Sequence, residues 1–215
     1  MASARARDSG NTLPSKEFPG GILVLTGANS AVGLRSMTAR FLFLDEIDAY
    51  PGNVKGDPIA LAEVRDRTFG WRRKAFLVSE PTISGRSRIE REYAASDQRR
   101  YFVSRPHCGE MRWLTFERLR RDKGDPRSAR YRGETCDAGI GEHHKTALLA
   151  SGGWRPVAVA EDPHTVGFHI SALYSPVGWL SWEQIARGIF RALSRWVGQA
   201  AGRRAAADGE GSPPW

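Results

Sequence analysis

The sequence predicts an α/β fold built on a parallel β-sheet. Short apolar runs without polar alternation recur along the chain, which is typical of strands covered on both faces. Segments with helical periodicity lie between these runs, as crossover connections between parallel strands require. The longest apolar runs, Ile22–Leu25 and Phe41–Leu44, are far too short to span a bilayer, so no membrane association is expected.

Four strands are predicted from these runs. Three lie at Ile22–Thr26, Arg40–Leu44 and Ala75–Ser79, and the fourth lies at Gly167–Ser171. Glycine, acidic residues or proline follow the first three and end them, because these residues favour turns over continued strand.

Three helices are predicted between and after the strands. Asp57 is a suitable N-cap for the first, because Pro58 follows it at the first helical position. The second, Ser87–Ala95, is charged and suited to the surface. The third begins at Ser181, with Gln184 placed to complete a capping box. Its apolar stripe comprises Ile185, Ile189, Phe190 and Leu193.

The chain is expected to divide into five segments. Residues 1–17 are a polar, disordered lead-in, and residues 199–215 are a disordered tail with little to bury. Residues 18–100 and 156–198 form the α/β core. Residues 101–155 form an insertion of short strands and turns, because cysteines, glycines and aromatic residues replace the apolar runs there.

Composition limits the class of protein and its partners. With 40% apolar residues, the chain can bury a core, which excludes wholesale disorder. The net charge of +8 favours a polyanionic partner such as nucleic acid, although a GC-rich genome would also enrich arginine. Two cysteines cannot make a disulfide framework and fit a reducing compartment.

The most informative local pattern is the strand Phe41–Leu44 followed by Asp45 and Glu46. Two carboxylates at the end of an apolar strand are typical of the Walker B motif of nucleotide-hydrolysing enzymes. The rigid strand end would place Asp45 at the hydration shell of Mg²⁺, and Glu46 would polarise an attacking water. A plain strand running into an acidic loop is the alternative. Asp48 is expected to be a solvated turn residue.

A Walker B strand requires a phosphate-binding loop, and the chain contains no G-x-x-x-x-G-K-[ST] sequence. Gly27–Ser36 is the nearest match, but its glycines are one residue too far apart and no lysine follows Gly33. We expect a polar connecting loop there, with a degenerate phosphate-binding loop as the alternative.

Polar residues also end the strand that stops at Ser79. Small hydroxyl side chains at Ser79 and Thr82 could sense the γ-phosphate and relay its loss to moving parts. A simple strand-terminal turn explains the same residues, and both interpretations remain open.

Cys108 and Cys136 resemble two halves of a zinc ribbon. Such a ribbon holds zinc with two C-x-x-C pairs, but here Arg105 and Gly139 stand where the other two cysteines belong. His107, His143 and His144 are nearby in sequence, and none is at a vacated position. We therefore expect degenerate knuckles in a metal-free remnant and no zinc.

Taken in order, segments between residue 18 and about residue 195 resemble the large terminase subunit of lambda-like tailed phages, the motor that packages DNA into proheads. The ordered set is specific, although no single motif is decisive. The matching stretches are Phe18–Gly21, Thr26–Ser30, Leu34–Ser36, Leu44–Pro51, Gly56–Ile59, Ser87–Glu90, Pro106–Gly109, Leu173–Pro176 and Trp179–Trp182.

The resemblance implies an ASCE-type P-loop ATPase that uses ATP and Mg²⁺ and pumps double-stranded DNA. Asp45 would be the magnesium carboxylate and Glu46 the catalytic one. Ser79 and Thr82 would belong to the motif that couples ATP hydrolysis to DNA movement, where Glu80 replaces the family's usual small hydroxyl residue. The implied partners are the small terminase subunit, the portal protein and further copies of the chain, in the cytoplasm of a bacterial host.

The departures from the family define the competing hypotheses. We expect the family's Walker A loop to lie upstream of Phe18 and its nuclease domain beyond Trp215, so the sequence is interpreted as an internal fragment of the ATPase, from a decaying prophage or a split gene. Such a fragment is either an ATPase, active if another chain supplies the phosphate loop, or an inactive remnant that binds only DNA or a partner. An unrelated α/β domain with a coincidental acidic pair is the third hypothesis.

Overall fold

The computed structural model describes residues 12–30, 32–34, 37–52, 56–83 and 85–188. The chain divides into two compact units, Met1–Glu92 and Tyr93–Trp215. Within the described ranges, no helix combines the length and the apolar character needed to cross a membrane. The predicted tail at 199–215 and residues 1–11 of the predicted lead-in lie outside the described residues.

The first unit begins with an antiparallel hairpin of β1 (Ser15–Phe18) and β2 (Gly21–Val24). This differs from the prediction in two ways: residues 15–17 form a strand, and the second strand is not a buried parallel one. The turn explains both differences. Gly20 adopts a φ of 96°, which glycine reaches at no steric cost, so the chain reverses and β2 pairs with the strand before it.

A strand–helix–strand segment follows the hairpin. It comprises β3 (Phe41–Asp45), a 3₁₀ turn (Ile47–Ala49), α1 (Pro58–Glu63), a 3₁₀ segment (Arg67–Arg72) and β4 (Lys74–Val78). The two strands are parallel, as predicted, with Phe41 opposite Lys74 and Asp45 opposite Val78. Asp57 caps α1 as predicted, because its carboxylate accepts a hydrogen bond from the Ile59 amide at 3.3 Å.

The core of the first unit lies against one face of this strand pair. Its buried members are Leu34, Leu44, Ile47, Ile59 and Ala62, and Leu77 and Ile89 pack against them. The opposite face is open: Phe43 is 73% exposed and meets Phe76 edge to face, with ring centroids 6.3 Å apart. The prediction that both faces are covered is therefore wrong for the described residues, because the core elements pack against only one side.

Helix α2 (Arg88–Ala95) contains the boundary between the units, and short strands dominate the second unit. These strands are β5 (Arg99–Ser104), β6 (Met111–Trp113), β7 (Leu119–Asp122), β8 (Asp125–Arg132), β9 (Gly139–Ile140), β10 (Gly153–Arg155) and β11 (Phe168–His169). They are interspersed with 3₁₀ turns at Phe116–Arg118, Glu142–His144 and Ala172–Tyr174, with α3 (Lys145–Ala150) and with a helix over residues 182–188.

Two sheets organise the second unit. Strand β5 pairs antiparallel with β6 and β10 and parallel with β11, which lies inside the strand predicted at 167–171. Strands β7, β8 and β9 form an antiparallel sheet. The described residues contain both helices and strands, so the predicted α/β class is confirmed.

The core of the second unit forms around Trp182, which is fully buried and donates its indole N–H to the Leu173 carbonyl at 3.0 Å. The predicted capping box is confirmed: the Ser181 amide donates to Gln184 at 2.8 Å, and the Gln184 amide donates back to the Ser181 hydroxyl at 3.1 Å. Ile185 lies in the core as predicted, whereas residues 189, 190 and 193 of the predicted stripe lie outside the described residues.

Candidate functional site

The carboxyl end of β3 presents two adjacent acidic side chains. Asp45 is the last residue of the strand, and both it and Glu46 are exposed. Neither carboxylate forms a hydrogen bond or ion pair with any other described residue. Both groups therefore lie exposed at the end of β3, and their assignment to a magnesium and catalytic site stays a prediction.

Glu46 has a left-handed backbone, with φ 54° and ψ 46°. This conformation costs a non-glycine residue about 1 kcal/mol. It turns the chain sharply, so that Ile47, only one residue later, is fully buried in the core. The buried Ile47 side chain thus anchors a turn whose acidic residues remain outside.

Asp48 connects this turn to the end of β4. Its Oδ2 accepts hydrogen bonds from the amide of Thr82 at 3.0 Å and from the hydroxyl of Thr82 at 3.1 Å. The Asp48 amide donates to the Ser79 hydroxyl at 3.2 Å. Both predicted coupling residues, Ser79 and Thr82, thus contact the turn that follows Asp45 and Glu46.

Asp48 also contacts the start of α2, because its Oδ1 accepts from the Ile89 amide at 2.9 Å. Burial by itself raises the pKa of Asp48, but hydrogen bonds from Ser87, Ile89 and Thr82 outweigh it and lower the pKa to about 2. Asp48 lies in a turn, as expected, but it is half-buried and both of its carboxylate oxygens accept hydrogen bonds, which the expectation did not include. Its carboxylate is the point at which three segments of the first unit meet.

Arg88 adds a second connection between α2 and the turn. Its guanidinium donates to the Ile47 carbonyl at 3.0 Å and to the Tyr50 carbonyl at 2.7 Å. These are two carbonyls of the segment that follows β3, and a planar guanidinium is suited to hold both. Neither the role of Arg88 nor the hydrogen bonds of Asp48 were predicted from the sequence. The sequence signal that could have indicated Arg88 is the stretch Ser87–Glu90, which resembles the family but was given no function.

Tyr50 lies near the acidic strand end. Burial raises the pKa of its phenol, and the nearby charge of Asp45 raises it further, against a hydrogen bond with the Asp45 backbone. The negative charge of Asp45 therefore acts on the Tyr50 side chain in the turn.

The glycine-rich segment after β2 forms a compact turn. The Ser30 amide donates to the Gly27 carbonyl at 3.0 Å, and the Leu34 amide donates to the Ser30 carbonyl at 2.9 Å. The Gly33 amide donates to the Ser30 hydroxyl at 3.1 Å, and a Cβ at Gly33 would collide with the Thr26 hydroxyl. These three amides are satisfied inside the turn and do not point at an open cradle; residues 31, 35 and 36 lie outside the described ones.

The second unit brings Cys108 and Cys136 together. Both are free and exposed. Hydrogen bonds from the Ala138 amide and from Cys108 lower the pKa of the Cys136 thiol, and the charge of Arg105 lowers it further. Among the described residues, no group of three or more His, Cys, Asp or Glu side chains is arranged to hold a metal ion.

Arg105 is buried beside these thiols, with 3% of its surface exposed. It donates to Glu110 at 2.8 Å, and Glu110 also accepts from the Thr135 hydroxyl. A guanidinium is a cation with only donors, so it cannot ligate zinc. The donor set at the two degenerate knuckles does not fit zinc, because a buried cation occupies the sequence position of one of the four ligands.

A family model for the ATPase domain of the phage terminase large subunit gpA matches residues 1–154, which is more than half of the chain. The chain therefore belongs to this family of phage DNA-packaging ATPases. The mixed α/β fold and the acidic end of β3 are consistent with that membership, and ATPases of this kind use nucleotide and Mg²⁺.

Two individual relatives agree with the family match. The chain is 27% identical over 210 residues to the terminase large subunit of Enterobacteria phage P21, covering 81% of this chain and 31% of the relative. It is 28% identical over 202 residues to the terminase large subunit of Escherichia phage lambda, covering 82% of this chain and 31% of the relative. The chain thus spans about a third of the length of these relatives. No solved structure matches it.

Proposed function

We propose that this chain supplies the ATP-hydrolysing part of a motor that packages double-stranded phage DNA into proheads. The observation that carries the proposal is the parallel pair β3 and β4. Its carboxyl end places Asp45 and Glu46 beside the segment that contains Ser79 and Thr82, with Asp48 hydrogen-bonded to both hydroxyl residues.

Asp45 is proposed to hold Mg²⁺ with its nucleotide. The fit rests on donor chemistry: Mg²⁺ prefers a few carboxylate oxygens with its remaining positions open to water and phosphate, and Asp45 offers, at the end of a strand, a carboxylate that no described residue engages. Bound there, Mg²⁺ would neutralise charge on the phosphates of ATP. Glu46, the next residue, would orient and polarise the attacking water.

Ser79 and Thr82 are proposed to transmit the state of the site. Both are bonded to Asp48, and Asp48 is bonded in turn to the Ile89 amide at the start of α2. A shift at the end of β4 would therefore be passed to α2 through hydrogen bonds. Glu80 adds a negative charge to this segment, which we propose weakens coupling relative to a small hydroxyl residue.

We also propose which residues form the ATPase core and which form the insertion. Residues 18–100 and 156–198 would form the P-loop-type ATPase core, and residues 101–155 a metal-free, zinc-ribbon-like insertion. The turn at residues 27–34 is not proposed as the phosphate cradle, because the amides of Ser30, Gly33 and Leu34 donate to groups within the turn. The proposed partners are double-stranded DNA, the small terminase subunit, the portal protein and further copies of the chain, in the bacterial cytoplasm.

Magnesium-dependent ATP binding and hydrolysis by the purified chain test the proposal. We expect Glu46→Gln to abolish turnover while ATP binding persists, because the substitution removes the base and retains the shape of the side chain. Glu117→Gln is the matched control: it removes the same charge from an exposed side chain in the second unit and should leave turnover unchanged.

Each outcome distinguishes the two competing functions. If both variants hydrolyse ATP at the unaltered rate, Glu46 is not catalytic. If the unaltered chain binds no ATP at all, the proposal of a motor fails and the alternative of a remnant that binds only DNA or a partner replaces it.

A further inference from the structure

The hairpin of β7 and β8 concentrates positive charge. Residues 118–132 contain seven basic residues against two aspartates. The basic residues are Arg118, Arg120, Arg121, Lys123, Arg127, Arg130 and Arg132. Much of the positive charge of the chain therefore lies on one short segment.

The hairpin separates its two faces sharply. Ala129 and Tyr131 of β8 are buried in the core of the second unit, whereas Arg120, Arg130 and Arg132 are exposed. One face is therefore fixed by packing, and the other presents arginines to solvent. Because the buried face sets the register, the arginines are held at defined positions.

Two of these arginines lie directly opposite each other. Arg120 pairs with Arg130 in the antiparallel register, and like charges at such positions destabilise a sheet. Within the described part of the chain, neither forms an ion pair, and the Arg130 side chain donates to the carbonyls of Ala129 and Arg127.

The same face forms a depression of about 540 Å³. Four arginines line it, Arg120, Arg121, Arg130 and Arg132, together with Ser128 and the aspartates at 122 and 137. The Asp137 carboxylate pairs with Arg132 at 3.2 Å, which leaves the depression cationic on balance. Guanidinium groups grouped in this way suit phosphate, which they bind with two parallel hydrogen bonds.

We infer that this exposed face of the β7–β8 hairpin, defined by Arg120, Arg130 and Arg132, binds the phosphate backbone of duplex DNA. Apart from its short pairing with β9 at residues 131–132, the hairpin is a two-stranded ribbon, a shape that the major groove of a duplex accommodates. Binding of single strands would need exposed aromatic side chains for stacking, and Tyr131, the aromatic residue of the hairpin, is fully buried. The inference deepens the proposed function by naming a surface for its DNA partner.

The test measures binding of the full chain to a labelled duplex of arbitrary sequence across a range of salt concentrations, without nucleotide. For Arg120→Gln/Arg130→Gln we expect binding on the order of tenfold weaker or more, and a logarithmic salt dependence shallower by about 2, one unit for each phosphate that is no longer neutralised. The loss of affinity should be the same for duplexes of unrelated sequence, because phosphate contacts do not read the bases.

Arg67→Gln/Arg86→Gln is the matched control, since it removes two charges from exposed arginines of the first unit. It should change binding much less. Equal weakening in both double variants would mean that only net charge matters and would overturn the inference, as would equal affinity of the unaltered chain for single-stranded DNA.

Folding and function are separated by two further readouts. The melting temperature of Arg120→Gln/Arg130→Gln should be retained or raised, because the substitution removes a repulsive pair. Since the assay contains no ATP, loss of hydrolysis in Glu46→Gln with intact DNA binding would support both proposals. DNA binding by a chain that hydrolyses no ATP would support the binding face alone.

Discussion

Thr82 donates both its backbone amide and its hydroxyl to Oδ2 of Asp48, at 3.0 and 3.1 Å, although 34 residues separate the two in sequence. The other carboxylate oxygen of Asp48 accepts from Ile89 at 2.9 Å. One side chain therefore fixes the turn after β3, the segment after β4 and the first turn of α2 relative to one another. Any displacement at one of these points strains hydrogen bonds at the other two.

Asp48→Asn is expected to lower the free energy of unfolding by about 1–2 kcal/mol. An amide has one acceptor oxygen and presents an NH₂ group to donors, so at least one of the amides of Thr82 and Ile89 loses its partner. Chemical denaturation of the two proteins measures the difference. Asp45→Asn is the control, because its exposed carboxylate has no described partner, and its stability should change by less than about 0.5 kcal/mol. Equal effects of the two substitutions would contradict the central role of Asp48.

Acid should remove the contribution of Asp48 in a defined pH range. Its pKa is lowered from 3.8 to about 2 in the folded chain, so the charged form is favoured by folding. The stabilisation is therefore complete well above pH 3.8 and is lost as the pH falls toward 2. The difference in free energy of unfolding between the unaltered chain and Asp48→Asn should shrink over this range. Other carboxylates titrate in both proteins and cancel, so a difference that stays constant would show that the Asp48 charge contributes nothing.

We expect that a zinc site can be built at Cys108 and Cys136. Arg105→Cys/Gly139→Cys creates a C-x-x-C pair around each cysteine and removes the buried guanidinium, so we expect one equivalent of zinc to bind tightly. Metal analysis after incubation with zinc and desalting measures this. The unaltered chain is the control and should retain none. If the double variant also retains no zinc, the two knuckles do not face each other as a ribbon requires.

Local sequence signals predicted the elements that depend on a few neighbouring residues. Strands β3 and β4, the Asp57 cap and the Ser181–Gln184 capping box all follow from short patterns whose physics is local. The acidic end of β3 was predicted for the same reason, because strand and carboxylates are adjacent in sequence.

Features that depend on distant partners were missed. Asp48 follows the acidic pair and carries no sequence sign of its bonds to Thr82 and Ile89, which form only when β4 and α2 are in place. The apolar runs at β2 and β3 predicted burial on both faces, yet Phe43 is exposed, because hydrophobicity alone does not say which elements cover a strand. The Arg120–Arg130 pairing likewise depends on a strand register that composition does not determine.

The left-handed backbone at Glu46 also sets folding stability against the proposed catalytic role of its carboxylate. Glycine would occupy this conformation without strain, so Glu46→Gly should raise the free energy of unfolding by up to about 1 kcal/mol while ATP turnover is lost. Denaturation and hydrolysis measured on the same sample check both effects, and a less stable variant would contradict the first. At this position a carboxylate with a proposed catalytic role occupies a backbone conformation that costs about 1 kcal/mol, although no described residue pairs with it.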